Sequence, residues 1–174
     1  MAAKGFIELL RLSDRGRKTQ LNQVDAENTW SGVAFEMLGQ YFVAPLGDVN
    51  EVIYVPELTQ IPNTKNWACG IANLRGRLLS VFHLPAFVKH VGADVDQNSK
   101  VMCLNHLEHY SGVIVDKVYG IQHFNTQSYF REAYDLDESI KKYCQGYFVH
   151  QNEIWHVFML RELFNSQEFM SPSL

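Results

Sequence analysis

The sequence predicts an all-β protein, built either as a barrel or as a sandwich. Short apolar runs follow one another along most of the 174 residues, and turn-forming residues separate them every few positions. The clearest runs lie in residues 70–84, GIANLRGRLLSVFHL, where Arg75, Gly76 and Arg77 separate two apolar halves. This pattern predicts a buried hairpin, because Gly76 can adopt the positive φ that a tight turn needs.

Composition and charge limit the class of protein. Hydrophobic residues make up 47% of the chain and aromatic residues 13%, enough for a sizeable core in one domain or two small subdomains. The formal charge of −4 disfavours general nucleic-acid binding, which requires a basic face. Three scattered cysteines suit a reducing compartment. Neither a signal peptide nor a run of about 18 apolar residues is present, so we expect a soluble, cytoplasmic protein.

The N-terminal segment differs in pattern from the rest. Apolar side chains within residues 5–12 share one helical face, which predicts a short amphipathic helix, and the basic, polar residues after it predict a mobile connector. The expected organisation is a helix and connector over residues 1–28, one domain over residues 29–168 and a flexible tail over residues 169–174.

Alternating apolar residues predict the strands on either side of the hairpin. Within the hairpin, Leu79 and Val81 point to one face while Leu78 and Phe82 point to the other, so we expect both faces to be buried. Pro45 lacks an N–H, which predicts an edge position or a bulge. Strands are predicted over residues 30–38, 41–46, 47–55, 71–74, 78–84, 100–105, 112–115, 118–124, 129–130, 145–150 and 154–159, short helices over 85–89 and 160–164, and at most single helical turns around 63–67 and 135–143.

The central segment and two later ones resemble the CheW-like coupling domain of bacterial chemosensory arrays. The resemblance extends over about residues 30–165. It is carried by Val55-Pro56, Ile61-Pro62, Trp67, Gly70, Asn73-Leu74-Arg75-Gly76 and Val81-Phe82-His83-Leu84, by GVIVDKVYGI at residues 112–121, and by the closing YCQGYFVHQNEIWHVFMLREL. It implies two interleaved five-stranded SH3-like β-barrel subdomains that share a core, with short N- and C-terminal helices. His83 departs from the family, which carries an aspartate there, and this puts any salt bridge at that site in doubt.

Arg75 is the first candidate site residue. From its position alone it is equally well a solvated turn arginine or an interface anchor. The resemblance favours the anchor, because the arginine of the family's NLRG motif lies at a partner-binding surface. Glu51, otherwise a carboxylate on the rim of an edge strand, would then be a polar partner near Arg75. The implied partner-binding set is Glu51, Val49, Val55, Asn73, Leu74, Arg75, Gly76 and Gly112, with Gly112 either at the approach of a partner helix or in a β-bulge.

No motif predicts catalysis, a cofactor or a metal. Cys103, His106 and His109 have a spacing that metal ligands can have, but on a strand and turn such residues point to different faces, so ordinary surface histidines are favoured. The sequence contains neither a G-x-S-x-G elbow nor a phosphate-binding loop.

The resemblance therefore implies a non-catalytic adaptor that couples a methyl-accepting chemoreceptor to a CheA-type histidine kinase. The regulatory domain of the kinase would bind one surface, and the helical hairpin tip of the receptor would bind the groove between the barrels. The extra N-terminal helix, the residues 30–35 that lead into the domain and the QHF of residues 122–124 resemble the coupling proteins of type IV pilus systems. This resemblance implies control of twitching motility at membrane-bound receptor arrays. The alternatives are an adaptor of a flagellar-type array, or a small β-barrel that binds a ligand or an oligonucleotide, against which the absence of an aromatic and basic stripe counts.

Overall fold

The computed structural model describes residues 28–90, 92–132 and 135–173. These residues form eleven strands, four short α-helices and two 3-10 turns. The strands are β1 (Thr29–Met37), β2 (Gln40–Pro45), β3 (Glu51–Tyr54), β4 (Ala68–Leu74), β5 (Arg77–His83), β6 (Lys100–His106), β7 (His109–Val115), β8 (Lys117–Asn125), β9 (Tyr129–Phe130), β10 (Cys144–His150) and β11 (Glu153–Phe158). The helices are α1 (Leu84–Lys89), α2 (Glu138–Lys141), α3 (Leu160–Asn165) and α4 (Gln167–Met170), and the 3-10 turns are Leu46–Asp48 and Thr126–Ser128.

The strands form two sheets. The first has the order β8-β1-β2-β11-β10-β9 and the second the order β3-β6-β7-β5-β4. Strands β3 to β7 are consecutive along the chain, so the second sheet is inserted between β2 and β8 of the first. Each sheet is antiparallel apart from one parallel pair, β2 with β11 and β5 with β7. The first sheet thus has six strands where five were expected, because the two residues of β9 pair with β10.

Three apolar clusters fill this double-barrel architecture, one inside each barrel and one between them. Trp30, Phe124 and Phe148 come from β1, β8 and β10 yet stack on one another at 5.0–6.0 Å, as side chains do in the interior of a closed barrel. Leu79 and Ile114 belong to the corresponding cluster of the second barrel. The shared core has more buried side chains than both interiors together, and draws them from both sheets and from the helices.

The central hairpin forms as β4 and β5, but its burial differs from the prediction at one end. Leu79 and Val81 lie inside the second barrel while Phe82 enters the shared core, so both faces are buried there. Leu78 is 69% exposed, because it lies close to the turn and beyond the shared core. The prediction of burial on both faces was therefore wrong for Leu78.

Two predicted features of the first half also differ. Pro45 does not lie on an edge strand, since β2 runs between β1 and β11; it is the last residue of β2 and precedes the 3-10 turn Leu46–Asp48. That turn also delays β3 until Glu51, so β3 is shorter than the predicted strand over residues 47–55. No helical turn forms around residues 63–67.

The end of the chain packs against the domain. The flexible tail was predicted over residues 169–174, but Phe169 is fully buried with its ring centroid 5.0 Å from those of Phe82 and Phe87. The N–H of Lys65 donates to the carbonyl of Pro172 at 2.6 Å. Residues 169–173 therefore belong to the folded unit, which corrects the prediction.

The predicted N-terminal helix and most of its connector lie outside the described residues. Among the helices that the structure describes, none has the length and apolar character needed to cross a membrane.

Candidate functional site

The tip of the β4–β5 hairpin holds Arg75 in a defined position. Arg75 and Gly76 have φ values of 53° and 80°, the positive pair that a two-residue hairpin loop of type I′ requires. The Asn73 side-chain oxygen accepts the N–H of Gly76 at 2.9 Å, which closes the turn. The Arg75 side chain is 73% exposed. A rigid loop therefore presents an accessible guanidinium group.

Glu51 pairs with this guanidinium. Its Oε2 lies 2.6 Å from Nη2 of Arg75. Glu51 begins β3 at one edge of the second sheet, and Arg75 directly follows β4 at the other edge. The ion pair thus links the two edges across one end of the second barrel, as the resemblance implied for these two residues.

Tyr110 completes the site, and sequence reasoning did not identify it. Its hydroxyl donates to Oε1 of Glu51. This bond and the bond from Arg75 hold the pKa of Glu51 below its usual range, whereas burial and the same carboxylate raise the pKa of Tyr110. One signal in the sequence could have identified it. Tyr110 shares a face of β7 with Gly112 and Ile114, which predicts an inward-facing side chain near the end of the barrel.

A second arginine extends the network. The guanidinium carbon of Arg77 lies 4.4 Å from the ring centroid of Tyr110, and its Nη2 donates to the side-chain oxygen of Asn105 at 2.8 Å. The N–H of Asn105 donates to the side-chain oxygen of Asn50 at 2.6 Å. These contacts join β5, β6, β7 and the residue that precedes β3 at the same barrel end.

The predicted apolar members divide into two groups. Val55 and Leu74 are half-buried and pack on the interior cluster of the second barrel. Leu74 directly precedes Arg75, whereas Val55 follows the opposite end of β3 from Glu51, so the structure does not bring Val55 to the ion pair. Val49 packs on the shared core instead. Leu78 and Leu107, which were not predicted, are 69% and 84% exposed at the end where the β4–β5 and β6–β7 turns lie, so two arginines and two leucines are presented together.

Gly112 does not border a surface groove. It is buried, and a Cβ at this position would come within 2.4 Å of Cγ1 of Val101. Its pairing with Cys103 is in regular register, which also excludes a bulge. Glycine is required here for packing inside the second barrel, so the structure contradicts the predicted place for a partner helix at this residue.

His83 performs a structural task at the start of α1. Its Nδ1 accepts the N–H of Ala86 at 3.0 Å, and its Nε2 lies 3.0 Å from the carbonyl oxygen of Asp94. Both contacts are satisfied by the neutral tautomer with a proton on Nε2. Burial lowers the pKa of His83, which favours this neutral form. The imidazole thus caps the helix, as side chains with an oxygen acceptor commonly do.

The cysteine and histidine side chains show neither metal-ligand clustering nor thiolate character in the part of the chain that the structure describes. Within the described ranges, His, Cys, Asp and Glu side chains form no group of three or more that could hold a metal ion. His106 is bonded to the side-chain oxygen of Asn165 at 2.7 Å. Burial raises the pKa values of the Cys69, Cys103 and Cys144 thiols to about 11, 11 and 12, so all three are protonated at neutral pH.

Two barrels on one shared core, with a charged hairpin tip at one end, define the architecture of a CheW-like domain. The profile of that domain matches residues 31–168, and the chain therefore belongs to the CheW-like family. It is 36% identical to protein PilI of Pseudomonas aeruginosa over 152 residues, which cover 87% of this chain and 85% of that protein.

A further relative agrees with the family assignment, and a solved structure agrees with the fold. Chemotaxis protein CheW of Klebsiella aerogenes is 31% identical over 100 residues, 52% of this chain and 60% of that protein. The crystal structure of the scaffolding protein CheW of Thermoanaerobacter tengcongensis superposes with a TM-score of 0.67 at 22% identity, covering 79% of this chain and 94% of that one. The last comparison supports the fold alone.

Proposed function

We propose that this protein is a non-catalytic adaptor that couples a methyl-accepting chemoreceptor to a CheA-type histidine kinase in a system controlling type IV pilus twitching motility. The observation that carries the proposal is the exposed Arg75 guanidinium, held by Glu51 at the end of a barrel in a CheW-like chain. The near full-length similarity to PilI supports the pilus assignment. The protein would act in the cytoplasm, at membrane-bound receptor arrays.

The end of the second barrel suits a protein partner. Arg75 and Arg77 offer guanidinium groups that match carboxylates, and the exposed Leu78 and Leu107 offer apolar contact beside them. Because Glu51 and Tyr110 already hold the arginines in place, less side-chain entropy is lost when a partner binds. We assign this surface to the regulatory domain of the kinase and the groove between the barrels to the helical hairpin tip of the receptor.

The test is calorimetric titration of the protein with the regulatory domain of the pilus-type kinase from the same organism. Arg75→Glu places a carboxylate against Glu51 and the partner's acidic groups, so affinity should fall by about thirtyfold or more. Lys141→Glu is the matched control: it reverses the charge of an exposed lysine on α2, and binding should remain at the wild-type level. A folded Arg75→Glu protein that binds as tightly as wild type would refute the proposed surface.

The similarity to chemotaxis protein CheW supports one alternative, an adaptor of a flagellar-type array. Titration with the regulatory domains of the pilus-type and the flagellar-type kinases in parallel separates the two. Tighter binding to the flagellar-type domain, together with unchanged twitching in a strain that lacks the protein, would favour the alternative.

A further inference from the structure

A row of side chains lies at one end of the first barrel, away from the hairpin tip. Trp155, Tyr41, Glu36 and Lys117 are cross-strand neighbours on β11, β2, β1 and β8. Residues aligned in this way point to the same face of a sheet. Glu36 has the same parity on β1 as Trp30, which fills the barrel interior, so the row lies on the inner face, at the barrel mouth.

A β-bulge adds a third aromatic ring. The register between β1 and β8 shifts after Ala34, and Tyr119 is the extra residue on β8. Bulges commonly redirect a side chain. The ring centroid of Tyr119 lies 6.1 Å from those of Tyr41 and Trp155, which are themselves stacked at 4.8 Å. We call Tyr41, Tyr119 and Trp155 the aromatic platform.

The platform is accessible on one side. Tyr119 is 43% exposed, and Tyr41 and Trp155 are half-buried. Trp30 and Trp67, the two other tryptophans, are 1% and 5% exposed. Trp155 is therefore the tryptophan whose fluorescence should respond to a molecule bound at this barrel mouth.

A carboxylate with an available oxygen borders the platform. The Tyr119 hydroxyl donates to Oε2 of Glu36 at 2.5 Å, and Nζ of Lys117 lies 3.6 Å from the same oxygen. The hydrogen bond to Glu36 is the main reason why the pKa of Tyr119 rises to about 12, so this tyrosine stays protonated and keeps donating. Oε1 of Glu36 accepts no hydrogen bond from the described part of the chain.

We propose that this barrel mouth binds an arginine side chain of a partner protein. A planar guanidinium can lie on an exposed aromatic face while it donates to a carboxylate, here Oε1 of Glu36. The charge fits: Glu36 supplies a carboxylate at the mouth, and Lys117 is a neighbouring cation. Lys117 is itself half-exposed and lies 3.6 Å from the carboxylate, so it competes with the incoming arginine rather than blocking it.

The test uses the full chain and the peptide acetyl-Ala-Pro-Arg-Pro-Ala-amide, with a second peptide that carries neutral citrulline in place of arginine. We expect a saturable change in tryptophan fluorescence with the arginine peptide and binding weaker by about tenfold with the citrulline peptide, because the charge-assisted hydrogen bond is lost. Trp155→Phe should abolish the fluorescence change.

Three further variants locate the site. Glu36→Gln, which is nearly isosteric, should weaken binding of the arginine peptide by about tenfold. Lys117→Ala should strengthen that binding, because it removes the competing cation. Glu57→Gln is the matched control, because Glu57 is an exposed carboxylate on the loop after β3 and should leave binding unchanged. The melting midpoint of each variant is measured alongside.

Three results would overturn the proposal. The first two are the absence of a saturable signal up to several millimolar arginine peptide and equal binding of the arginine and citrulline peptides. The third is wild-type affinity in a folded Glu36→Gln protein. None of these readouts involves the kinase or the receptor, so they stand apart from the test of the adaptor function.

Discussion

Arg75 occupies a backbone position that an arginine adopts only at some cost. Its φ of 53° lies in the left-handed region, which asparagine and glycine enter more easily. The Arg75 side chain is 73% exposed, so it contributes little to the core. We propose that its role lies in the guanidinium group, which a partner can reach.

The substitution Arg75→Asn removes the guanidinium charge without straining the turn. Asparagine suits the turn, and an exposed ion pair is worth at most about 1 kcal/mol, so the free energy of unfolding should change by less than that amount. Binding to the kinase regulatory domain should nonetheless weaken by more than about tenfold. Urea unfolding and calorimetric titration of the same preparation check both expectations. A large loss of stability would assign Arg75 a structural role instead.

His156 gives the fold a dependence on pH. It is 3% exposed on β11, and its Nδ1 is buried without a hydrogen-bond partner in the described chain. Burial lowers the pKa of His156 to about 4. The unfolded chain, with a histidine pKa near 6.5, takes up the proton first as the pH falls. The stabilising effect of the neutral imidazole is therefore complete above about pH 6.5 and is lost as the pH falls toward about 4.

The expected loss from this one group is about 3 kcal/mol over that interval, since each pKa unit corresponds to about 1.4 kcal/mol. Urea unfolding of wild type and His156→Phe at a series of pH values measures it. Acidic groups and His83 also titrate in this interval. The control is therefore the slope of the free energy of unfolding against pH in the His156→Phe protein. Identical slopes in the two proteins would show that His156 does not titrate in this way.

At the scale of elements, local signals decided which predictions succeeded. The β4–β5 hairpin could be predicted because its turn chemistry and its period of two lie within fifteen consecutive residues, and α1 because Pro85 favours a first helical turn. The contact between Tyr110 and Glu51 joins residues 59 positions apart, and no local pattern reports it. The role predicted for Gly112 was wrong for a related reason. A glycine in a strand is equally consistent with a groove, a bulge or tight packing.

The C-terminal segment is the clearest case of an element that depends on distant partners. Phe169 lies among Phe82, Phe87 and Phe164, with centroid distances of 5.0–5.4 Å, and the indole N–H of Trp67 donates to its carbonyl at 3.4 Å. From the sequence alone, one phenylalanine among polar residues near the end of the chain indicates a loose tail. Its burial follows only once the hairpin and α1 are in place.

Phe169→Ala should lower the free energy of unfolding by about 3–5 kcal/mol, the usual cost of removing a buried aromatic ring. Gln167→Ala, at an exposed position of the same short helix, is the control and should change it by less than about 0.5 kcal/mol. Urea unfolding of both proteins provides the comparison. An effect of Phe169→Ala as small as that of the control would instead support the predicted flexible tail.

At the scale of the whole molecule, the two barrels cannot separate without exposing their common core. Phe35 and Phe42 enter that core from the first sheet, and Phe82 and Val113 enter it from the second. The chain also leaves the first sheet after β2 and returns to it at β8, so the second barrel is closed within a loop of the first. Both features favour one cooperative folding unit.

A substitution in one barrel should therefore be detected in the other. Leu79 is fully buried inside the second barrel, and Trp30 reports from inside the first. The experiment uses a protein that carries Trp67→Phe and Trp155→Phe, so that Trp30 is the remaining tryptophan. In this protein, Leu79→Ala should lower the free energy of unfolding by about 2–5 kcal/mol. The unfolding midpoints followed by Trp30 fluorescence and by circular dichroism should move by the same urea concentration. Leu107→Ala, at a residue 84% exposed in the same barrel, should shift neither. If Leu79→Ala moved only the circular dichroism transition and left that of Trp30 in place, the barrels would be independent units, and the shared core would not couple a partner on one barrel to a partner on the other.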